Sequence, residues 1–192
     1  MNHFFCYMAR MKHIKRWGLM RNTREENIQE HSLQAAMIAH ALAIIKNTLY
    51  GGHVDAAHVM ALAVYHEVGE VITGDLATPI KYFNPEIKKA YKQIERVAEQ
   101  KLIAMLPKAL QGEYEKLIPR REDDAEAYAI VKAADKICAY LKCVEEMSAG
   151  NMEFEKAQKK IFDAIGKLKR PEVDYFMETF VPSFSLTLDE LN

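Results

Sequence analysis

The sequence predicts an all-α fold, and three observations lead to that prediction. Apolar residues recur at the three- and four-residue spacing of helices through most of the chain. Helix-capping residues precede several of these segments. No run alternates strictly between apolar and polar residues, as a half-buried strand would, over more than a few positions. We therefore expect a bundle of about seven helices in one domain spanning residues 1–192, of which 49% are hydrophobic.

Local signals divide the first half of the chain into two helices. Thr23 and Glu26 have the spacing of a capping box and predict a helix that runs to about Asn47. Asp55 is the predicted N-cap of the next helix, and Thr73–Gly74 predicts its end. These two helices contain four of the side chains on which the functional argument depends, His31, His66, Glu67 and Glu70.

Proline and capping residues divide the second half in the same way. Asn84–Pro85 predicts the start of a long helix, which Pro107 interrupts. Pro107 itself is expected to start a short helix ending near Pro119. Asp123–Asp124 predicts the cap of another long helix, which Gly150–Asn151 ends. Two amphipathic helical segments follow, EFEKAQKKIFDAIGKLK and DYFMETF.

Charge and cysteine content exclude several classes of function. The 26 basic and 27 acidic residues give a formal net charge of -1, which argues against a nucleic-acid partner or an anionic membrane surface. No apolar run approaches the ~20 residues that span a bilayer. Cys6, Cys138 and Cys143 form no CxxC pair, which is typical of a reducing compartment. We therefore expect a cytoplasmic protein without membrane or nucleic-acid partners.

Polar side chains occupy helix faces that the apolar periodicity assigns to the core. They include His31, His66 and Asp135. A continuous helix would also place Glu70 one turn after His66 on the same side, with Glu67 about 100° round the axis. A buried carboxylate without a partner is costly, and imidazoles and carboxylates brought together can hold a divalent metal with open positions. The alternative is a satisfied core histidine at 31 and a buried ion pair at 135.

Four long motifs are spread over nearly the whole chain. They are RWxLMRN, ExxxEHSLQxAMxAHALAxIKN, AxYHxxxEVxTGDLxTPxKYFN and AYLKCxEExxAGNxEF. The sequence resembles, from about residue 4 to the C-terminal VPSFSLTLDE, the bacterial HD-domain 5′-deoxynucleotidases of the HD phosphohydrolase superfamily. The resemblance implies an HD-domain helical bundle with a metal site in the core. It also implies a homodimeric, metal-dependent enzyme that removes phosphate from deoxyribonucleoside 5′-monophosphates.

The resemblance also implies roles for individual residues. The implied metal ligands are His31, His66, Glu67 and Asp135. The implied catalytic residues are Glu70 and Arg16. The implied substrate contacts are Arg16, Trp17, His31, Glu67, Asp75, Leu76, Ala77, Thr78 and Asp135. Histidine ligands favour a divalent transition metal such as Co²⁺, Mn²⁺, Cu²⁺ or Zn²⁺ over Mg²⁺.

The chemistry of these residue types agrees with the implied roles, although each has a plainer alternative. Arg16 can grip a phosphate with two hydrogen bonds, or lie on a solvated basic face. Trp17, the one tryptophan of the chain, can press on C2′ of a sugar and reject a ribose hydroxyl, or simply pack. Glu70 can orient or deprotonate a water, or be a solvated carboxylate. Asp75 can accept a hydrogen bond from a sugar hydroxyl, or be an ordinary turn residue.

The chain departs from the family pattern at one ligand. The family has His-Asp where this chain has His66-Glu67. The extra methylene pushes the carboxylate out by roughly an ångström or more, whereas metal sites tolerate about 0.2 Å in ligand distance. Glu67 could ligate from a shifted rotamer, bind through a water, or stop ligating. The sequence alone therefore predicts a compromised site that Glu67→Asp would improve.

Two other functions compete with the deoxynucleotidase. An HD-type triphosphohydrolase acting on dNTPs would need more basic residues around the phosphates than Arg16 and Lys81. A deoxynucleotide-binding HD module with weakened catalysis is supported by Glu67 alone. The products released from dAMP and dATP would separate these functions.

Overall fold

The computed structural model describes residues 2–81 and 83–191, with the backbone alone at Thr78. This part of the chain contains ten α-helices and no β-strand. The helices are α1 (Phe4–Met8), α2 (Ile28–Leu49), α3 (Ala56–Tyr65), α4 (Glu70–Thr73), α5 (Thr78–Lys81), α6 (Pro85–Ala104), α7 (Lys108–Tyr114), α8 (Ala125–Ser148), α9 (Glu155–Gly166) and α10 (Pro171–Thr179). Short 3₁₀ helices cover Met11–His13, Met152–Phe154, Val181–Ser185 and Leu188–Leu191. None of the described helices is long and apolar enough to cross a membrane.

The all-α prediction is confirmed, and α2, α3 and α8 form the centre of the bundle. Small residues on α2, among them Ala35 and Ala39, are completely buried and let the neighbouring helices approach closely. Ile130 and Ile137 of α8 are equally buried in the same core. A second apolar cluster, which includes Phe4 of α1 and Leu102 of α6, closes the other side.

The start of α2 differs from the prediction. The capping box is formed by Asn27 and Glu30, because the Asn27 side chain accepts hydrogen bonds from the backbone N–H groups of Gln29 and Glu30, both at 3.0 Å. The predicted capping pair, Thr23 and Glu26, lies in the preceding loop. Both side chains make long-range contacts there, so the predicted box was wrong by four residues.

Two other predicted caps are confirmed. The Asp55 carboxylate accepts a hydrogen bond from the His58 N–H at 3.0 Å and starts α3. The Asn84 side chain accepts one from the Ile87 N–H at 2.7 Å, with proline in the first turn of α6.

The predicted helix from Asp55 to Thr73 is broken. Helix α3 ends at Tyr65, residues 66–69 form turns, and α4 begins at Glu70. This break is one reason why the structure has more helices than about seven.

The second half follows the prediction with smaller differences. Helix α7 ends at Tyr114, before Pro119. Asp124 occupies the N-cap position of α8 but makes no capping hydrogen bond. Its carboxylate oxygen instead lies 3.0 Å from Nε2 of His58, and this contact joins α3 to the start of α8.

Candidate functional site

Four predicted ligands from three separate parts of the chain meet in one place. His31 lies in the first turn of α2, His66 and Glu67 lie directly after α3, and Asp135 lies in the middle of α8. One donor atom from each of these residues lies within 4.8 Å of the others. Two atoms bound to one ion at about 2.1 Å are at most about 4.2 Å apart. Small side-chain rotations would therefore close this group round an ion.

The two histidines present nitrogen atoms that have no partner. His66 Nδ1 donates a hydrogen bond to the carbonyl of Ala63 at 2.7 Å, because a carbonyl can only accept. His66 Nε2, the other ring nitrogen, is buried without a hydrogen-bond partner. Both ring nitrogens of His31 are also buried without a partner. Burial lowers the pKa of His31, which keeps the imidazole neutral, as ligation requires.

The two carboxylates complete the donor set. Asp135 Oδ1 lies 3.2 Å from His31 Nε2 and 4.0 Å from His66 Nε2. The 3.2 Å contact lacks hydrogen-bond geometry, since His31 Nε2 stays unpartnered. Burial alone would raise the pKa of Asp135, but the ammonium of Lys132, 3.4 Å away, and the imidazoles hold it well below its usual value. Two imidazole nitrogens and carboxylate oxygens are ligands that suit a divalent metal ion.

Glu67 reaches the same group despite its extra methylene. Its Oε1 atom lies 3.4 Å from His66 Nε2. Burial opposes ionisation of Glu67, yet His66 and a hydrogen bond from Glu70 lower its pKa to about 2. The two side chains meet although the predicted position of Glu67 is about 100° round the helix axis from His66. This geometry favours direct ligation among the three alternatives.

Glu70 lies beside these donors as the first residue of α4. Its side chain is buried, and Oε2 has no hydrogen-bond partner. Burial and the neighbouring charge of Glu67 raise the pKa of Glu70 to about 10. Glu70 thus has a carboxyl oxygen without a hydrogen-bond partner beside the candidate metal ligands.

Arg16 and Trp17 are joined to the site through Glu26, whose role the sequence did not reveal. Arg16 Nε and Trp17 Nε1 each donate a hydrogen bond to Glu26 Oε2 at 3.2 Å. The other Glu26 oxygen lies 3.9 Å from His31 Nδ1. Burial works against the charge of Arg16, but the carboxylates of Glu67 and Glu26 raise its pKa above the usual value. The signal for Glu26 was its place at the head of the motif ExxxEH.

The segment after Gly74 forms a second edge of the site. Asp75, Leu76 and Ala77 are half-buried in irregular structure, and the side chain of Thr78 lies outside the described residues. Burial raises the pKa of Asp75, and Arg16 acts against that rise, so the two side chains influence one another directly. Lys81, at the end of this segment, lies 3.4 Å from Glu95.

Two further residues of the site lie near Asp135 on α8. Lys132 was missed because its position alone does not distinguish it from a solvated lysine. Cys138 follows Asp135 by one turn and is completely buried. Burial raises the pKa of the Cys138 thiol, with the charge of Asp135 adding to the effect, so the sulfur stays protonated.

Known proteins resemble this chain over nearly its full length. Residues 3–184 match the sequence model of the YfbR-like 5′-deoxynucleotidases. The chain is 54% identical over 191 residues to 5′-deoxynucleotidase VV1113 of Vibrio vulnificus, covering 100% of this chain and 98% of that protein. It is 55% identical over 192 residues to 5′-deoxynucleotidase YPTB2590 of Yersinia pseudotuberculosis, with the same coverage.

Solved structures share the fold at lower identity. An HD-domain phosphohydrolase (lin2634) from Listeria innocua superposes with a TM-score of 0.83 at 22% identity, covering 95% of this chain and 88% of that one. The cyanophage S-2L HD phosphohydrolase DatZ, bound to dA and one catalytic Zn²⁺ ion, gives a TM-score of 0.65 at 21% identity, covering 95% and 96%. The chain therefore has the HD phosphohydrolase fold and belongs to the YfbR-like 5′-deoxynucleotidase family.

Proposed function

We propose that this protein hydrolyses deoxyribonucleoside 5′-monophosphates to deoxynucleoside and phosphate. The observation that carries the proposal is the partly buried donor group of His31, His66, Glu67 and Asp135, in which imidazole nitrogens have no hydrogen-bond partner. The identity of 54–55% to full-length 5′-deoxynucleotidases gives the substrate class.

The same four residues would hold a divalent transition metal of the Co²⁺, Mn²⁺, Cu²⁺ or Zn²⁺ class. Two imidazole nitrogens make these ions better candidates than Mg²⁺, which prefers oxygen ligands. When bound, such an ion supplies positive charge for the phosphoryl oxygens and lowers the pKa of water. The single catalytic Zn²⁺ of the cyanophage relative supports one ion rather than two.

The residues round the donor group would bind the phosphate and move the proton. Arg16, charged and only 13% exposed, would grip the phosphoryl oxygens with its free guanidinium N–H groups. Lys132, beside Asp135, would add a second positive charge. Glu70 would orient the attacking water, since its Oε2 is unpartnered beside the ligands. With a pKa raised to about 10, its carboxyl group would accept that water's proton only if a bound cation lowered the pKa.

The sugar would be selected by Trp17 and the segment from Asp75 to Thr78. The Trp17 indole would fill the space next to C2′, where a ribose hydroxyl would collide with it. The Asp75 carboxylate would accept a hydrogen bond from the 3′-hydroxyl, and Leu76, Ala77 and Thr78 would line the nucleotide. Trp17→Ala should narrow the difference in kcat/KM between dAMP and AMP, and an unchanged ratio would show that the indole only packs.

A phosphate-release panel tests the proposal. The protein is stripped of metal, reloaded with Co²⁺, Mn²⁺, Cu²⁺, Zn²⁺ or Mg²⁺, and assayed with the four dNMPs, AMP and dATP. We expect phosphate from dNMPs with transition metals and much less from AMP. Release of triphosphate from dATP would favour a triphosphohydrolase. Tight dNMP binding without turnover under every metal would favour a binding module.

We also propose that residues 1–192 form one HD-type domain that works as a cytoplasmic homodimer without a nucleic-acid partner. Exposed apolar side chains on α2 and α3, including Leu33, Met37 and Val64, would form the dimer contact. Met37→Glu should convert the dimer to a monomer in light scattering. A wild-type protein that is already monomeric would contradict the proposal.

A further inference from the structure

The motif AYLKCxEExxAGNxEF covers the end of α8 and the turn after it, and no residue of it takes part in the proposed reaction. Its polar side chains nevertheless converge on one segment, the loop of residues 14–27 that contains Arg16 and Trp17. We call this segment the N-terminal loop. The contacts join positions more than 100 residues apart in the sequence, so they fix the loop against a helix from the second half of the chain.

A buried ion pair forms the centre of this junction. Lys142 Nζ donates hydrogen bonds to the carboxylate of Glu146 and to the backbone carbonyl of Arg24. Glu146 is completely buried, and its Oε2 accepts from the Thr23 N–H at 2.8 Å and from the Thr23 hydroxyl at 2.7 Å. Asn151 Nδ2 donates to the same oxygen at 2.8 Å. Each member of the pair therefore holds a backbone group of the loop.

Aromatic packing adds a second set of contacts at the same junction. Phe154 is completely buried, and its ring centre lies 5.4 Å from that of Trp17. The Lys142 ammonium lies 6.0 Å from the same Phe154 ring. Asn151 also donates to the Arg21 carbonyl at 2.7 Å. Lys142 and Phe154 thus connect the ion pair directly to the indole.

The backbone of Trp17 needs such support. Its φ angle is 57°, in the left-handed region that a bulky residue rarely adopts. A residue held in this conformation costs on the order of 1–3 kcal/mol and persists only where the surroundings over-determine it. Glu26 fixes the indole N–H, and Phe154 packs against its ring, so Trp17 is held from both sides.

We propose that Lys142, Glu146 and Phe154 form a clamp that positions the N-terminal loop, and that this clamp sets the discrimination between deoxyribose and ribose. The inference rests on the proposed function, in which Arg16 binds phosphate and Trp17 contacts the sugar. Helix α8 contains Lys142, Glu146 and Asp135, and Phe154 lies in the 3₁₀ helix that follows it, so one helix fixes the sugar contact relative to the four candidate metal ligands. These three are positioning residues, since they act through Arg16 and Trp17.

The first experiment measures the loop without using catalysis. Trp17 is the one tryptophan of the chain, so its fluorescence reports the loop alone. In Glu146→Gln, which leaves the Lys142 charge unbalanced, we expect a red-shifted emission and faster quenching by acrylamide. The matched control is Glu178→Gln, the same change at an exposed residue of α10. The proposal is overturned if the folded Glu146→Gln protein keeps the wild-type emission and quenching.

A double variant covers the case in which Glu146→Gln does not fold. Lys142→Met combined with Glu146→Leu removes both charges and leaves an apolar filling, which proteins often tolerate well. It also removes every side-chain hydrogen bond of the pair to the loop. The same fluorescence changes are expected, with helical circular dichroism unchanged. Phe154→Leu, which leaves the ion pair intact, should expose the indole in the same way.

The second experiment measures selectivity. We expect the clamp variants to lose on the order of 10- to 100-fold in kcat/KM for dAMP, mainly through KM, because a small misplacement of binding groups has effects of that size. The dAMP-to-AMP ratio should fall while metal content stays at the wild-type value. A proportional loss on both substrates would overturn the role in selectivity. Absence of wild-type turnover would instead contradict the proposed function, and the fluorescence result would still decide the clamp.

Discussion

The protein buries two clusters of charged side chains, and they differ in how well their polar atoms are satisfied. In the clamp, Glu146 accepts hydrogen bonds at both oxygens and Lys142 donates to two acceptors. In the candidate metal site, the ligands His31 and His66 and the adjacent Glu70 contribute four of the seven buried side-chain atoms without a partner in the described residues. Unpaired buried polar groups are costly and rare. The difference indicates that protein groups alone satisfy the polar atoms of the clamp, whereas the polar atoms of the candidate metal site are suited to binding a ligand such as a metal ion.

The largest effect should come from removing a ligand. His31→Ala should abolish turnover and metal binding while circular dichroism stays helical, because the group loses a donor from its centre. Metal at 1,000 times Kd should stabilise the wild type by about 4 kcal/mol in thermal unfolding and His31→Ala by none. His40→Ala, on the same helix, is the control. Full activity after exhaustive chelation would contradict this prediction, since the unpaired histidine nitrogens would then not be metal ligands.

Glu70 tests whether the unpaired carboxyl oxygen beside the candidate ligands takes part in catalysis. Glu70→Gln should lower kcat for dAMP by about 10²–10⁴, the usual contribution of one general acid or base. Metal content and dAMP binding should stay near the wild-type values. Glu86→Gln, an exposed change at the start of α6, should behave as wild type. A near-normal kcat in Glu70→Gln would place the proton acceptor elsewhere.

Glu146 tests how much the hydrogen-bonded ion pair of the clamp contributes to stability, through the pH dependence of unfolding. Burial works against its charge, but hydrogen bonds from Lys142, Thr23 and Asn151 hold its pKa well below the usual 4.5. A lowered folded pKa contributes stability above the unfolded value and loses it as pH falls below that value. Glu146→Gln should therefore cost roughly 3–5 kcal/mol of unfolding free energy at neutral pH. The gap from wild type should shrink below about pH 4.5; a constant gap in denaturant titrations would contradict the assignment.

Glu67 tests whether the length of a ligand side chain fits the candidate metal site. The glutamate oxygen already lies 3.4 Å from His66 Nε2, so a shorter aspartate would leave a gap. We expect Glu67→Asp to weaken metal affinity by about 10- to 100-fold, the range seen for misfit round metal sites. Metal competition titrations measure this change. A gain in affinity would instead support the overshoot that the sequence alone predicts.

Local patterns predicted those parts of the fold that depend on neighbouring residues. Asp55 and Asn84 cap their helices as expected, because a cap is a contact across three positions. His31 and Asp135 lie on buried helix faces, as the apolar spacing indicated. The roles of the site residues remain predictions, although the structure brings the four candidate ligands together.

The misses have a common cause in long-range contacts. Thr23 and Glu26 match a capping box, yet Thr23 binds a carboxylate 123 residues away, and Glu26 binds Arg16 and Trp17. A pattern of four residues cannot register such competitors. The sequence pattern also missed the end of α3 at Tyr65, because no proline follows there to indicate a helix end.

The donor group consists of nitrogen and oxygen atoms alone, and this affects which metals the site can keep. Cys138 follows Asp135 by one turn, but its sulfur is not among the four donor atoms of the described residues that lie within 4.8 Å of one another. The group therefore lacks the soft thiolate donor that favours Cu(I) and Zn²⁺ strongly. Such borderline sites take their metal according to supply as well as affinity. We expect the ion found in the purified protein to follow the growth medium, so enrichment with Co²⁺ or Mn²⁺ should exchange it.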